Sequence, residues 1–378
     1  MVISILGALQ WQYEINKRSE MKKVLFAINN LEGGGAERVL VDLINGLDRN
    51  KYIIDLFLID KTGPYLKRLN DNINIISAYD NYNKKLEKFS AHVLCRFNTR
   101  FTRKLLLRYN HDFTKEFLKK ASSKELYHHF FSSKDYDIEI AFLEGISTKI
   151  IAGSSSQKSI KIAWVHTDLV DHLWFSKWFQ SEAEIKENYQ NFHQVVCVSE
   201  KIKESFQKEY QRDACVKLNP IDTVYIECKA NSVVDLKKKE NVFYYIAVGR
   251  FTREKGFERL LRIRTKLIRM GYKIELWILG KGELQEELES IIKTEHIEDS
   301  VKLLGFQNNP YKYMKQSDLY ICSSYIEGLS TTVIEALALG IPVLTTECPG
   351  MAELLGNSEY GIIVENEESA LLKGMIDI

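Results

Sequence analysis

The sequence has 378 residues, of which 45% are hydrophobic and 27% charged, with 52 basic and 51 acidic side chains. Single domains rarely grow past roughly 250–300 residues, so this length predicts two or three domains. The composition is typical of globular chains and excludes disordered and collagen-like proteins. The formal net charge of +1 excludes a chain that binds nucleic acid over its whole surface.

The cysteines and the apolar runs disfavour three further classes of protein. No two of the six cysteines are spaced as Cys-x-x-Cys, which disfavours both a zinc site and a disulfide framework. Reduced thiols fit a cytoplasmic protein. No apolar run reaches the roughly 18–20 residues of a membrane span. The start of the chain lacks a basic region and a cleavage site, so residues 1–20 are interpreted as an N-terminal extension before Met21 rather than a signal peptide.

Short β-rich runs alternate with helical patterns from residue 23 onward. Most runs are almost continuously apolar, which is typical of parallel strands buried on both faces. The alternation predicts an α/β protein with parallel sheets. The strands are predicted at residues 23–28, 53–60, 73–78, 138–143, 160–166, 194–199, 242–249, 274–280, 301–306, 319–323, 343–346 and 362–365, and the clearest helices at 37–47, 258–270 and 331–339.

The alternation is interrupted near residues 220–240, where Pro220 precedes a polar, lysine-rich stretch. We interpret this stretch as an interdomain linker. The predicted domains are therefore residues 21–226 and 227–378.

Residues 84–120 depart from the α/β pattern, because they hold eleven basic residues against three acidic ones. Apolar residues recur there every three or four positions, which predicts a basic amphipathic helix. A solvated helix face is compatible with this pattern, and so is a docking face for anionic lipid or for a lipid-linked phosphate substrate. The apolar positions are Leu86, Phe89, Val93, Phe97, Phe101 and Leu105.

A glycine-rich turn follows the first predicted strand and opens a helix, with the sequence Glu32-Gly-Gly-Gly-Ala-Glu-Arg38. Glycines at such a junction let the backbone approach a bound group, and a helix N-terminus favours an anion. The turn is not a dinucleotide fingerprint, because Arg38 occupies the place of the last small residue. A purely geometric role for the glycines stays open.

Two cations open the second predicted domain. Arg250 follows a buried strand and Lys255 precedes a helix, at the sheet edge where open α/β proteins bind ligands. Arg can clamp phosphate oxygens through two bonds and Lys acts as a point charge, so the pair suits a diphosphate. A solvated loop is the alternative interpretation.

Two carboxylates bracket a later strand-to-helix turn. Glu327 lies on the loop, Ser330 or Thr331 is positioned to cap the next helix, and Glu335 falls about one turn inside it. Carboxylates accept hydrogen bonds from sugar hydroxyls, and helix amides bind phosphate oxygens. Apolar neighbours predict that the helix is largely buried, which disfavours a solvated Glu335.

In this order, the motifs resemble those of the GT-B-fold retaining glycosyltransferases of family 4. The resemblance covers residues 21–378 and is specific as an ordered set. Its motifs are Gly-Gly-Ala-Glu-Arg at 34–38, Trp164-Val-His-Thr-Asp168, Val198-Ser-Glu200, Asn219-Pro-Ile-Asp222, Gly249-Arg-Phe with Glu254-Lys-Gly256, Leu279-Gly-Lys-Gly282, Leu304-Gly-Phe306, Glu327-x7-Glu335 and Ala338-x-Gly-x-Pro342.

The resemblance implies two Rossmann-like domains facing a central cleft, the first binding the acceptor and the second the nucleotide sugar. Arg250 and Lys255 would hold the diphosphate, Glu335 the ribose, and Glu327 the donor sugar. His166 would lie close to the transferred sugar. The other implied donor-site residues are Gly34, Gly35, Phe306, Gly328, Leu329 and Ser330.

The resemblance further implies transfer of a hexosyl or N-acetylhexosaminyl group from a nucleotide sugar, preferably a UDP-sugar, with retention. No cofactor and no metal are expected. The Asp135-Tyr-Asp137 sequence is interpreted as structural. The implied acceptor is a lipid-linked glycan of bacterial surface polysaccharide synthesis. The implied location is cytoplasmic and peripheral at the inner face of the membrane, with residues 84–120 in contact with the anionic surface. No nucleic-acid partner is expected.

Two other functions remain open at this point. A non-catalytic partner of another glycosyltransferase would be expected to lack Arg250, Lys255 or Glu327, and all three are present. A GT-B sugar-nucleotide epimerase would use the nucleotide sugar alone. Family members usually continue beyond the position of Ile378 with a last helix that returns to the first domain, so the resemblance leaves closure of the two domains open at this point.

Overall fold

The computed structural model describes residues 21–79, 112, 114–170 and 174–378. The chain divides into two compact units between Pro220 and Ile221. The predicted extension 1–20 lies outside the described residues, as does most of the basic segment 84–120, of which residues 114–120 are helical.

The first unit contains a seven-stranded sheet in which every strand pair is parallel. Six of these strands confirm the prediction, and the seventh, of two residues, is too short to give an apolar period. Strands β1 to β7 are Lys22–Ile28, Tyr52–Leu58, Asn74–Ser77, Ile138–Ala141, Ile160–Val165, Gln194–Cys197 and Cys215–Val216, in the spatial order β3-β2-β1-β4-β5-β6-β7.

Polar caps fix where several helices of the first unit begin. The side chains of Ser122, Ser181 and Ser199 each accept a backbone N–H three residues along the chain, which satisfies an amide that has no partner inside the helix. The helices α1 to α5 are Gly35–Gly46, Ser123–Phe131, Ile146–Ala152, Glu182–Gln190 and Glu200–Tyr210, with short 3-10 turns at Pro64–Arg68 and Ser176–Trp178.

The second unit contains a six-stranded sheet, again parallel throughout. All six strands were predicted. Strands β8 to β13 are Phe243–Val248, Ile274–Leu279, Val301–Leu303, Leu319–Cys322, Val343–Thr346 and Ile362–Val364, in the order β10-β9-β8-β11-β12-β13. Helices α6 to α12 are Thr223–Ala230, Phe257–Arg269, Gln285–Thr294, Tyr311–Met314, Thr331–Ala338, Met351–Leu355 and Glu368–Asp377.

The boundary between the units lies before the position predicted from the sequence. The division at 226/227 would fall inside α6, whose Ile226 and Ala230 pack into the core of the second unit. Asp222 caps this helix by accepting the Tyr225 amide at 2.9 Å. The expected linker is therefore shortened, because an apolar helix face at 223–230 is buried rather than solvated.

Helices cover both faces of the second sheet, which explains its continuous apolar strands. Leu276 and Ile278 point to the side of α7, whereas Trp277 and Leu279 point to the opposite side and pack with Tyr311. Successive strand residues face opposite ways, so a strand covered on both sides must be apolar at every position.

Each strand order contains one reversal of direction along the sheet. The order reverses between β1 and β4 in the first unit and between β8 and β11 in the second. In parallel sheets, the loops after the two strands that flank such a reversal diverge and leave a crevice at their carboxyl ends. The residues that follow these four strands are therefore the ones to inspect.

Candidate functional site

The second unit brings Lys255 and Glu327 together, although 72 residues separate them in sequence. Lys255 Nζ lies 2.5 Å from Glu327 Oε1, and both side chains are largely buried. Burial is the largest single effect and lowers the pKa of Lys255, but the charge of Glu327, its hydrogen bond and the nearby Cys322 together outweigh burial, so the net shift is upward. Glu327 also accepts a hydrogen bond from Ser324 Oγ at 2.8 Å. The pair places a fixed cation and a fixed carboxylate at the carboxyl edge of β8 and β11.

Arg250 lies at the same edge, directly after β8, and its side chain is exposed. The Arg250 guanidinium forms no hydrogen bond or ion pair with the residues that the structure describes. Its charge acts on both Lys255 and Glu254, since it lowers the pKa of each. This guanidinium is therefore available to an anion beside a lysine that is already held in place.

Gly256 lies where the loop that carries Lys255 packs against the loop that carries Glu327. Its φ of +61° is in the left-handed region, and a Cβ there would lie 2.3 Å from the Ser323 carbonyl oxygen. Ser323 Oγ donates to the Lys255 carbonyl at 2.9 Å, and the Tyr325 amide donates to the Glu254 carbonyl at 2.7 Å. The two loops are thereby fixed to each other through backbone groups.

The helix after Glu327 begins as the sequence predicts. Ser330 is its N-cap, and its Oγ accepts the Val333 amide at 3.4 Å. Glu335 lies one turn inside and is only 3% exposed. Its Oε1 accepts the hydroxyl of the fully buried Tyr311 at 3.0 Å. One oxygen of Glu335 is thus already engaged by the protein.

The remaining predicted residues of the second unit line the same edge. Gly328 and Leu329 connect Glu327 to the cap, and a Cβ at Gly350 would lie 2.6 Å from the Gly328 carbonyl oxygen. Phe306 follows β10 and is half-buried, with Lys281 Nζ 5.5 Å from the centre of its ring. An aromatic face beside a flexible cation can hold a planar base.

In the first unit, Gly34 and Gly35 start the helix after β1, with Gly34 as its N-cap. Arg38 is buried in the first turns of that helix. Its Nε lies 3.0 Å from Asp42 Oδ2, and Arg68 binds the other oxygen of Asp42 at 2.8 Å. The arginine of the glycine-rich motif therefore anchors the turn, while the glycines lie at the sheet edge.

His166 follows β5 and is 8% exposed. Its ring packs against Phe142, with 5.1 Å between ring centroids. Burial lowers the pKa of His166 to about 3, against a smaller opposing effect of the Phe142 backbone, so the imidazole is neutral near pH 7. Its Nε2 has no hydrogen-bond partner among the described residues.

Sequence reasoning missed Glu144, which is fully buried after β4. Its Oε1 accepts the backbone amides of His166 and Thr167, the latter at 2.8 Å, and so fixes the turn that carries the histidine. Burial raises the pKa of Glu144 to about 7, against the opposing effect of these backbone hydrogen bonds. An acidic residue directly after a buried strand was the available signal.

Sequence reasoning also missed Arg259, which lies on the helix after Lys255 and is 1% exposed. Its guanidinium donates to the carbonyls of Ser323 and Ser324, in the loop that leads to Glu327. The only signal in the sequence was a charged residue among apolar helix positions, and such a residue is usually solvated.

Other candidate groups are structural. Asp137 accepts the Lys23 amide at 2.7 Å, and Tyr136 donates to Asp55 at 2.7 Å, which agrees with a structural role for Asp135-Tyr-Asp137. Within the described ranges, no cluster of three or more His, Cys, Asp or Glu side chains could hold a metal ion. The five described cysteines are free thiols. No helix of the described part is long and apolar enough to cross a membrane.

Comparison with known proteins gives relatives for both units. Residues 229–378 match the family Glycosyl transferases group 1. The chain is 37% identical over 159 residues to the N-acetylgalactosamine-N,N'-diacetylbacillosaminyl-diphospho-undecaprenol 4-alpha-N-acetylgalactosaminyltransferase of Campylobacter jejuni, an alignment that covers 42% of each protein. It is 25% identical to an uncharacterized glycosyltransferase of Haemophilus influenzae, over 94% of this chain and 90% of that protein.

The fold is also that of solved structures. The structure of HepE from Anabaena in complex with UDP-glucose superposes with a TM-score of 0.65 at 17% identity, covering 94% of this chain and 89% of that one. Further relatives are named for amylovoran, lipopolysaccharide core and capsular polysaccharide biosynthesis. Residues 229–378 of this chain are therefore similar to the glycosyl transferases group 1, and each unit is a parallel-sheet, Rossmann-like α/β domain, the fold of these solved structures.

Proposed function

We propose that this chain is a retaining glycosyltransferase that moves a hexosyl or N-acetylhexosaminyl group from a nucleotide sugar, preferably a UDP-sugar, to a lipid-linked glycan. The observation that carries this proposal is the Lys255–Glu327 pair, with Arg250 beside it, at the switch point of the second sheet. The second unit is the donor-binding domain and the first unit binds the acceptor.

Arg250 and Lys255 hold the diphosphate of the donor. When the bond from the anomeric carbon to the phosphate oxygen breaks, negative charge grows on the departing nucleoside diphosphate. Two cations at that point lower the barrier because they stabilise the charge that develops in the transition state. This arrangement supports transfer without a metal ion.

Glu327 orients the donor sugar by accepting hydrogen bonds from its hydroxyls. Its Oε1 already binds Lys255 and Ser324, so the carboxylate is held in one rotamer before a sugar arrives. Fixing a reacting group beforehand avoids an entropy cost during the reaction. His166, neutral and with Nε2 unpaired among the described residues, donates to or accepts from a sugar hydroxyl.

Retention follows if the acceptor attacks the face from which the diphosphate departs. The bond from the acceptor oxygen to the anomeric carbon forms as the carbon–phosphate-oxygen bond breaks, and the acceptor proton passes to the departing phosphate. No second carboxylate beside Glu327 is needed as a nucleophile in this scheme, unlike in a retaining hydrolase.

The relatives support the donor and acceptor classes. The Campylobacter protein is named for transfer of N-acetylgalactosamine to a diphospho-undecaprenol-linked saccharide, and HepE was solved with UDP-glucose. Because a lipid-linked acceptor lies at the membrane, we further propose that the chain acts at the inner membrane face. The basic segment 84–120 would be its contact with anionic lipid. Sedimentation with anionic liposomes at low salt tests this contact, and a protein that stays in the supernatant contradicts it.

A thermal-shift panel with UDP, GDP, ADP, dTDP and NAD, run in EDTA, tests the donor site. A ligand at 100 times its dissociation constant stabilises the folded state by about 2.7 kcal/mol, which is readily visible. We expect a shift with one nucleoside diphosphate that is lost in Arg250→Ala. No shift with any nucleotide would contradict the proposal and favour a non-catalytic partner.

Transfer itself is tested with the matching nucleotide sugar and a short polyprenyl-diphosphate-linked saccharide. We expect release of the nucleoside diphosphate only when the acceptor is present, and proton NMR of the product should show the donor's anomeric configuration. Release without an acceptor would favour an epimerase, and an inverted product would refute retention.

A further inference from the structure

Arg259 is a buried arginine that forms hydrogen bonds with the backbone of the loop preceding Glu327. Its Nε and Nη2 donate to the Ser323 carbonyl at 2.9 and 2.6 Å, and Nη2 also donates to the Ser324 carbonyl at 2.8 Å. Its Nη1 donates to Asn366 Oδ1 at 2.9 Å. Nη2 also donates to Thr346 Oγ1 at 3.4 Å. All three guanidinium nitrogens are therefore used, and three of the five bonds hold the backbone of two consecutive loop residues.

The surroundings of Arg259 fix the same loop from other sides. The guanidinium carbon lies 3.9 Å from the centre of the Tyr325 ring, a stacking distance. Asn366 Nδ2 donates to the Tyr325 carbonyl at 2.9 Å, and Thr346 Oγ1 donates to the Ser324 carbonyl at 2.6 Å. Residues 323–325 thus accept hydrogen bonds from Arg259, Thr346 and Asn366. Arg259 also donates to the side chains of Thr346 and Asn366.

No carboxylate of the described residues forms an ion pair with Arg259. Its partners are carbonyl, amide and hydroxyl oxygens and an aromatic ring. A buried cation costs desolvation energy, and an apolar side chain would fill the same space at a lower cost. The retained charge instead holds the carbonyls of Ser323 and Ser324, in the loop that leads to Glu327.

Ser324 connects Arg259 to Glu327 through hydrogen bonds. The Ser324 carbonyl accepts from Arg259, and the Ser324 hydroxyl donates to Glu327 Oε1 at 2.8 Å. The neighbouring Ser323 hydroxyl donates to the Lys255 carbonyl. Moving this loop would therefore displace both members of the Lys255–Glu327 pair.

We propose that Arg259 is a positioning residue, which sets the Glu327 carboxylate against Lys255 by holding the backbone of Ser323 and Ser324. This inference rests on the proposed function for its effect on transfer. Its effect on the Lys255–Glu327 pair is independent of any activity.

The test compares Arg259→Met and Arg259→Lys with the matched control Arg264→Met. Arg264 is another buried arginine of the same helix, but it donates to the Ile274 carbonyl on the neighbouring strand. We expect Arg259→Met to lower kcat by roughly 10- to 100-fold, since misplacing a reacting group costs about that much. KM for the nucleotide sugar should change less than about threefold, because Arg250 and Lys255 remain. Arg264→Met should keep the kcat of the wild type even where it lowers the melting temperature.

A double-mutant cycle shows whether Arg259 acts through Glu327. If it does, Arg259→Met combined with Glu327→Gln loses little more activity than Glu327→Gln alone. The cycle with Arg264→Met should be additive. An Arg259→Met enzyme with wild-type kcat, or an additive Arg259–Glu327 cycle, would overturn the inference. If Arg259→Met does not fold, Arg259→Lys and Ser324→Ala enter the same cycle.

A second measurement does not depend on transfer. The pH dependence of Lys255 acetylation, read by mass spectrometry, reports how firmly Glu327 is held against the amine. We expect Arg259→Met to make Lys255 reactive at lower pH, and Arg264→Met to leave its profile unchanged. An unchanged profile in Arg259→Met overturns the positioning role. A changed profile in a chain that transfers no sugar upholds positioning and refutes the proposed function.

Discussion

The buried Glu144 carboxylate gives the sharpest stability prediction. Its pKa is raised to about 7 in the folded protein from an ordinary value of 4.5, with burial as the largest cause. A carboxyl group whose folded pKa is raised contributes stability below its unfolded pKa, and that stability is lost as pH rises toward the folded pKa. The loss therefore occurs between about pH 4.5 and pH 7 and is complete above it.

The magnitude follows from the size of the shift. One pKa unit corresponds to about 1.4 kcal/mol, so the Glu144 carboxyl by itself contributes a loss of about 3 kcal/mol at pH 8 relative to pH 4.5. The group is fully buried, so solvent does not screen this effect. Glu144→Gln keeps an oxygen for the His166 and Thr167 amides and has no charge to bury. We expect the variant to gain about 3 kcal/mol over the wild type between about pH 5 and pH 8.

His166 has a folded pKa of about 3 against an ordinary value of 6.5, so it adds an opposite pH dependence over part of this window. Both the wild type and Glu144→Gln carry His166, so this contribution cancels in the difference between them. Burial raises the pKa values of Cys197, Tyr189 and Tyr210, which therefore titrate above the window. The assay is urea unfolding at about pH 5 and pH 8, followed by hydrogen exchange of peptides from residues 138–167, which report on the first unit. The matched control is Glu187→Gln, an exposed carboxylate, which should follow the wild type at both pH values. A Glu144→Gln variant with the same pH dependence as the wild type would refute the reasoning.

Three further predictions concern single side chains. Gly256→Ala should lower the free energy of unfolding by about 1–3 kcal/mol from backbone strain and further from the close Ser323 carbonyl. Gly271→Ala, with a positive φ but open space, is its urea-unfolding control, and equal losses would contradict a role for the close approach. Lys255→Met should abolish the thermal shift given by the nucleoside diphosphate. The control Lys266→Met, which changes an exposed lysine, should keep the shift. A retained shift in Lys255→Met would argue against diphosphate binding at Lys255. His166→Phe should resist acid better, because a histidine with a folded pKa near 3 loses stability as pH falls from 6.5, by about 5 kcal/mol when fully protonated. An acid-unfolding midpoint equal to that of the wild type would contradict this assignment.

The strands were predictable because a parallel sheet covered on both faces leaves a local signal. All twelve predicted strands are present, from Lys22–Ile28 to Ile362–Val364. The missed strand, Cys215–Val216, has only two residues, and its pairing depends on the neighbouring strand rather than on its own sequence. The boundary at Pro220 was blurred because Thr223–Ala230 is short and mixed in composition, so its burial becomes visible only against the core that it covers.

The site was predictable in part for the same reason. Arg250, Lys255, Glu327 and Ser330 stand directly after strands or before helices, and in a parallel sheet those positions share one edge. The Ser330 cap is a hydrogen bond between residues only three positions apart, so the local sequence is enough to predict it.

Taken alone, the sequence determined the two parallel sheets, the edge at which chemistry is possible and the residue types that stand there. Tertiary structure alone decided which of those residues are held by others. The Lys255–Glu327 pair, the contact of Arg259 with Ser323 and that of Glu144 with His166 join residues 72, 64 and 22 positions apart. Whether a carboxylate or guanidinium is buried depends on what packs over it, and packing is set by the order of strands in the sheet rather than by neighbours along the chain.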